Sequence, residues 1–247
     1  MAKERADVAL VNRGLVESRA RAQALIMAGV VFSGEVKIQK AGQPIAEDQP
    51  LEVRGRDHEW VSRGGLKLEK GLSHFGVDPT GWTVIDVGSS TGGFTDVALS
   101  KGAAKVYAVD VGRGQLAWKL RTDDRVVVME QTNARYLTDE HIPEPVDMVV
   151  CDASFISLKT VLPAALGFVR EGGALIALIK PQFEVGKDNV GKGGVVRDPA
   201  LHQAVCEDIA AWLGDLPGWR VVGITESPIK GPEGNVEFLI HGIKDNG

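Results

Sequence analysis

Residues 84–99, VIDVGSSTGGFTDVAL, read as an apolar strand, a glycine turn and the opening of a helix. Gly88 lets the chain turn sharply off the strand. Gly92 and Gly93 let a ligand approach the backbone where the free N–H groups of a helix start point outward. Twenty-two residues after Gly88, Asp110 ends the next apolar run, VYAVD, placed to accept hydrogen bonds from two ribose hydroxyls. A dinucleotide loop would read G-x-G-x-x-G. This one reads Gly88-Ser-Ser-Thr-Gly92-Gly93 and lacks the second glycine, which admits a pyrophosphate. The spacing favours a nucleoside ligand without a diphosphate. The glycines alone would also suit a purely structural turn; Asp110 tips the reading towards the ligand.

Working outward, strands and helices alternate: KVYAVDVG, RVVVME, VDMVVCDAS and ALIALIK as strands, QLAWKLRTD and the segment Leu158 to Arg170 as helices. ALIALIK is almost continuously apolar, as a buried parallel strand should be. Asp198 and Pro199 are the N-cap and first residue of the helix DPALHQAVCEDIAAWL. WRVVGITESPI and NVEFLIHGI, joined through KGPEG, make a terminal hairpin. The expected fold is therefore α/β, a doubly wound, Rossmann-like sheet with an antiparallel edge hairpin, the pattern of class I methyltransferases. In such a fold the nucleoside is that of S-adenosylmethionine. Its binding set is expected to be Asp86, Gly88, Ser89, Gly92, Gly93, Phe94, Asp110, Asn133 and Asp152. Asp86 either holds the loop or faces the cofactor's amino-acid end, and Asn133 stands where adenine is read.

Upstream lies a small α+β module: a helical pattern over 3–13 stopped by Gly14, a helix capped by Ser18 and stopped by Gly29, and a hairpin turning at Ser33-Gly34. The boundaries expected are 1–58 for this module, 59–66 for a linker and 67–247 for the large domain. The 247 residues carry a net charge of −5, which by itself argues against nucleic acid, yet residues 1–40 hold seven Lys and Arg against four acids. The basic charge is local. Arg5, Asp7, Leu10, Gly14, Ser18, Arg19, Ala22, Ile26, Gly29, Val31 and Gly34 resemble the ribosomal-protein-S-four-type RNA-binding domain. That resemblance implies grip on structured RNA, with Arg5, Arg13, Arg19 and Arg21 in the module and Arg63, Lys187 and Lys192 beyond it as phosphate-binding candidates. The loop FEVGKDNVGKGGVV, with Lys187 and Lys192, is either a lid over RNA or an ordinary connection.

Four charged residues fall where such a sheet opens to its substrate: Lys67, Asp152, Lys180 and Glu237. Asp152 and Lys180 end strands; Lys67 begins a helix and Glu237 sits in the last strand. Singly, each has a plain structural account, as a surface charge, a cap or an edge residue. Together with SRGGLKL, DVGSSTGGFT, CDASFISL, KPQFEVG and GNVEFL in this order, they resemble the TlyA, hemolysin-A-like family of ribosomal RNA 2'-O-methyltransferases and the wider FtsJ-like group with its Lys-Asp-Lys-Glu tetrad. The resemblance implies that Lys180 is the general base, Asp152 orients it, Lys67 meets the developing alkoxide and Glu237 holds Lys67 or the ribose. It also implies a cytidine of 23S, and by extension 16S, ribosomal RNA or a ribosomal subunit as the substrate. The compact chain ends lean towards the 23S-only type. No metal is required, since the five histidines lack ligand spacing.

Other classes fit less well. Base N-methylation would want prolines where the chain has Asp152-Ala-Ser-Phe155; cytosine C5-methylation would want a nucleophilic Cys, and Cys151 beside Asp152 points to the opposite face of its strand, into the core. A non-catalytic ribosome assembly factor would not need the tetrad. No apolar run approaches the roughly 20 residues of a membrane span, and the charged N-terminus has no signal-peptide core. Cys151 and Cys206 are expected to be reduced thiols in the cytoplasm.

Overall fold

The computed structural model describes residues 3–16, 18–27, 29–46, 48–53, 59–186, 189–231 and 233–245. It divides into two units, Met1–Glu59 and Trp60–Gly247. The first contains β1 (Lys3–Arg5), α1 (Ala6–Asn12), α2 (Arg19–Met27), β2 (Val31–Ser33), β3 (Val36–Lys37), β4 (Pro44–Ala46) and β5 (Glu52–Val53). Its small core is Ala6, Ala9, Leu10, Ala22, Ile26, Val31, Ile38 and Ile45. Residues 3–5, expected to begin a helix, are extended instead, because they pair antiparallel with β4. Gly14, at φ 66°, and Gly29, at φ 72°, end the two helices in the left-handed region, where a side chain would be strained. Among the described residues here, the Asp7 carboxylate is fully buried, and it accepts hydrogen bonds from Arg5, Arg19 and Gln23. These three donors hold it well below the usual carboxylate range, Arg5 most of all.

The second unit runs α3 (Gly65–Phe75), β6 (Thr83–Val87), α4 (Gly93–Ser100), β7 (Lys105–Val109), α5 (Trp118–Arg121), β8 (Val126–Met129), β9 (Val146–Cys151), α6 (Leu158–Val161), α7 (Pro163–Gly167), β10 (Val169–Ile179), α8 (Pro181–Glu184), α9 (Pro199–Gly214), β11 (Trp219–Glu226) and β12 (Phe238–Lys244). The seven strands stand in the order β11-β12-β10-β9-β6-β7-β8. All are parallel except β12, which lies antiparallel between β10 and β11. The order reverses between β6 and β9, so the crevice at their carboxyl ends is the switch point where α/β sheets bind ligands. Two apolar layers cover the sheet. Leu68, Val97 and Leu120 belong to one, and Leu162, Ile209 and Leu213 to the other.

Three expectations are corrected here. The segment 158–170 is not one helix: Pro163, lacking an N–H, separates α6 from α7, and Val169–Arg170 already belong to β10. The helix expected over 115–123 shrinks to Trp118–Arg121, because the amides of Gly114, Gln115 and Leu116 are bound by the Glu130 carboxylate. The segment 60–66 is part of the second unit, with Trp60 buried in its core and the Val61 amide donating to Asp96 Oδ2 at 2.8 Å.

Candidate active site

Asp152 directly follows β9 and Lys180 directly follows β10, so both emerge at the carboxyl edge of the sheet. Lys67 lies in the first turn of α3. Glu237 directly precedes β12 and does not lie within it, as the sequence led us to expect. The four meet in one chain of alternating charge. Glu237 Oε2 lies 2.8 Å from Lys67 Nζ, an ion contact without hydrogen-bond angles. Lys67 Nζ is 3.3 Å from both Asp152 oxygens, and Asp152 Oδ1 is 2.7 Å from Lys180 Nζ. Lys67, Lys180 and Glu237 are buried, and Asp152 is half-buried. Two cations and two anions thus offset one another, which is how such charges persist out of water.

Lys180 Nζ also donates to the Asp152 carbonyl oxygen at 3.0 Å and to Ser154 Oγ at 2.8 Å. Sequence reasoning missed Ser154. The available signal was a hydroxyl two residues beyond a strand-end carboxylate. Glycines let the elements close on the tetrad: a Cβ at Gly231 would come 2.6 Å from Glu237 Oε1. A cleft of about 590 Å³ opens onto the tetrad and is also lined by Arg63, Phe94, Phe183 and Gly231.

A second cavity of about 490 Å³ adjoins it, lined by Gly88, Asp110, Gln115, Asn133, Asp152 and Ser154 among others. Its size is ordinary for a small-molecule site. Each Asp110 oxygen takes one backbone amide, Ser90 N at 2.8 Å and Gly112 N at 2.7 Å. A carboxylate has further lone pairs, so both oxygens can still accept from a ribose diol. Gly88 sits at φ 79° against Ala153, where a Cβ would meet backbone at 2.8 Å, and Gly92 is at φ 98°. Both need glycine, and the turn they make brings the start of α4 to the cleft beside this cavity. Asn133 lines the cavity while its side chain accepts from Arg135 N. The donor set fits a nucleoside with a short cationic tail. Asp86, by contrast, is fully buried, lines neither cavity and accepts from Thr95 Oγ1 at 2.7 Å, which suits holding the loop. Burial, aided by the negative charge of Asp152, raises its carboxyl to about 7 against that hydrogen bond.

The remaining expected residues are scattered. Arg5 and Arg19 are exposed and share Asp7, and Arg21 is half-buried. The Arg13 guanidinium donates to the carbonyls of Ala46 and Gln49, bracing the β4 turn. Arg63 and Lys192 are exposed, and Lys187 lies outside the described residues. Cys151 is buried in the core, with its thiol pushed up to about 12 by desolvation, as an inert thiol should be. Neither cysteine is in a disulfide. Among the described residues no group of histidines, cysteines and acids could hold a metal, and no helix is long and apolar enough to cross a membrane.

Residues 60–244 match the FtsJ-like methyltransferase model. The chain is 48% identical over 239 residues to the 16S/23S rRNA (cytidine-2'-O)-methyltransferase TlyA of Mycobacterium tuberculosis, covering 96% of this chain and 89% of that one. It is 40% identical over 240 residues to Hemolysin A of Brachyspira hyodysenteriae, covering 97% and 99%. A solved structure of a hemolysin from Streptococcus thermophilus superposes with a TM-score of 0.79 at 44% identity, covering 100% of this chain and 90% of that one. The chain belongs to the TlyA/hemolysin A family, within the FtsJ-like methyltransferases.

Proposed function

We propose that this protein transfers the methyl group of S-adenosylmethionine to the 2'-hydroxyl of a cytidine in ribosomal RNA, with Lys180 as the general base. The observation that carries the reading is the buried Glu237–Lys67–Asp152–Lys180 chain, set at the switch point beside a cavity fitted to a nucleoside. S-adenosylmethionine supplies an electrophilic methyl on sulfur. The protein's residues must hold the acceptor oxygen in line and take its proton, a task mostly of positioning. Asp152 orients Lys180, and Lys67 faces the oxygen as it gains charge. Glu237 holds Lys67, and Asp110 holds the cofactor's ribose. The small N-terminal unit, an S-four-type domain in this reading, grips structured RNA through Arg5, Arg19 and Arg21. Such a substrate places the enzyme in the cytoplasm, where ribosomes are.

The test is transfer of labelled methyl to ribosomal subunits and to naked rRNA, followed by nuclease digestion and nucleoside analysis. The expected product is 2'-O-methylcytidine, and its subunit identifies the target. Lys180→Ala is expected to abolish transfer and keep cofactor binding. Methyl on a base, or no transfer to any RNA despite cofactor binding, would overturn the proposal.

A further inference from the structure

Lys180 is buried at 6% exposure; its Nζ donates to the Asp152 carbonyl at 3.0 Å and to Ser154 Oγ at 2.8 Å, and lies 2.7 Å from Asp152 Oδ1 in an ion contact without hydrogen-bond angles. Of these partners only the Ser154 Oγ is a hydroxyl, able both to accept and to donate. Ser154 is exposed, and it lines both the tetrad cleft and the nucleoside cavity. Its hydroxyl accepts from Lys180, and the residue borders the space of both cavities. The next residue, Phe155, sits at φ 65°, in the left-handed region, and turns the chain away immediately after Ser154. The chain of charges running from Glu237 through Lys67, Asp152 and Lys180 therefore ends, on its open side, in an accessible hydroxyl.

We infer that Ser154 is the catalytic residue that meets the acceptor ribose, relaying the 2'-hydroxyl proton to Lys180. The inference rests on the reading of Lys180 as general base and adds the atom through which that base works. In the reactive state Lys180 is the amine, its lone pair turned to Ser154, whose hydroxyl donates to Nζ and accepts from the 2'-hydroxyl. As the 2'-oxygen attacks the methyl, its O–H bond breaks and a new O–H bond forms at Ser154 Oγ. The former Oγ–H bond breaks and an N–H bond forms at Nζ. The O–CH3 bond forms as the S–CH3 bond breaks, its electron pair remaining on sulfur. The positive charge that leaves the sulfonium reappears on the Lys180 ammonium, beside Asp152. The exposed hydroxyl then offers a route for that proton to water, which resets the site.

The experiment compares the full-length wild type with Ser154→Ala, Ser154→Thr and Lys180→Ala in methyl transfer to rRNA, with KM measured for both substrates. Ser154→Ala is expected to lower kcat by about 10²–10⁴-fold, the range of a lost proton-transfer group, with both KM values unchanged. Ser154→Thr, which keeps a hydroxyl, should recover most of that loss. Three outcomes overturn the relay while leaving Lys180 in place as the base: wild-type kcat in Ser154→Ala with Lys180→Ala inactive, a loss confined to KM, or a Ser154→Thr variant as slow as Ser154→Ala. An active Lys180→Ala enzyme would instead remove the general-base reading, and the relay with it.

Discussion

Lys67 touches two carboxylates at once, Glu237 at 2.8 Å and Asp152 at 3.3 Å, and Glu237 is almost wholly buried. Removing the lysine alone would strand a charge in the interior, which typically costs about 3–5 kcal/mol. Lys67→Met should therefore lose stability of that order in urea unfolding at neutral pH. Lys67→Met combined with Glu237→Gln should regain a large part of it. A single variant as stable as the wild type would mean that water already reaches the pair. Asp86 behaves oppositely, because its partner is a hydroxyl and not a cation. Its carboxyl is raised to about 7 in the fold, whereas an aspartate in the unfolded chain ionises at about 3.9. Between those values the folded protein holds a proton that the unfolded chain has lost. The group's contribution to stability consequently falls as pH rises through this window and levels off above it. Asp86→Asn removes that fall. The gain in Tm of the variant over the wild type, measured without cofactor, should be larger at pH 8 than at pH 5. An equal difference at both would show that Asp86 is already ionised in the fold.

At the scale of elements, one carboxylate shapes the wall of the second cavity, the one proposed to hold the cofactor. Glu130, just beyond β8, accepts from the amides of Gly114, Gln115 and Leu116 and pairs with Arg121. These bonds, the Gly114 amide foremost, hold its carboxyl down at about 2. They also fix the loop that carries Gln115 to the cavity. Glu130→Ala should raise the KM for S-adenosylmethionine and leave kcat nearly unchanged, since in the proposed reading the loop faces the cofactor and not the acceptor. A fall in kcat at unchanged KM would refute that division. The same contact shows why some elements could not be read from the chain. The glycine loop, the strand ends at Asp152 and Lys180 and the cap at Asp198 follow from local pattern, and the structure places them as local pattern implies. The shortened α5 depends on Glu130, and the strand at Lys3–Arg5 on Pro44–Ala46, a partner some 40 residues away. Periodicity carries no trace of either. Ser154 escaped notice for a different reason. A hydroxyl two residues past a strand-end carboxylate is a weak signal, and its meaning shows only once Lys180 is seen 2.8 Å away.

At the scale of the whole molecule, charge and boundary decide what each unit contributes. Residues 1–59 carry nine Lys and Arg against nine acids, so the N-terminal unit is neutral overall and any grip on RNA must come from a local face. Arg5 and Arg19 suit such a face: both are more than half exposed, and each guanidinium is fixed on the buried Asp7 carboxylate with further N–H donors left over. The boundary matters as much. Trp60 is buried against Gly65 and the core of the second unit, and the Val61 amide is held by Asp96. A chain beginning at Trp60 should keep wild-type affinity for S-adenosylmethionine, whereas one beginning at Lys67 should lose stability and much of that affinity. Against rRNA, the chain beginning at Trp60 should bind more weakly than the full protein. Its affinity should also fall less steeply with salt, because each lost phosphate contact lowers the log–log slope by about 0.7–0.9. Titration of labelled rRNA at several salt concentrations measures both quantities. If the truncated and full-length proteins share one affinity and one slope, the N-terminal unit does not bind RNA, and recognition must lie within the methyltransferase unit, with Arg63 at its cleft the first residue to replace.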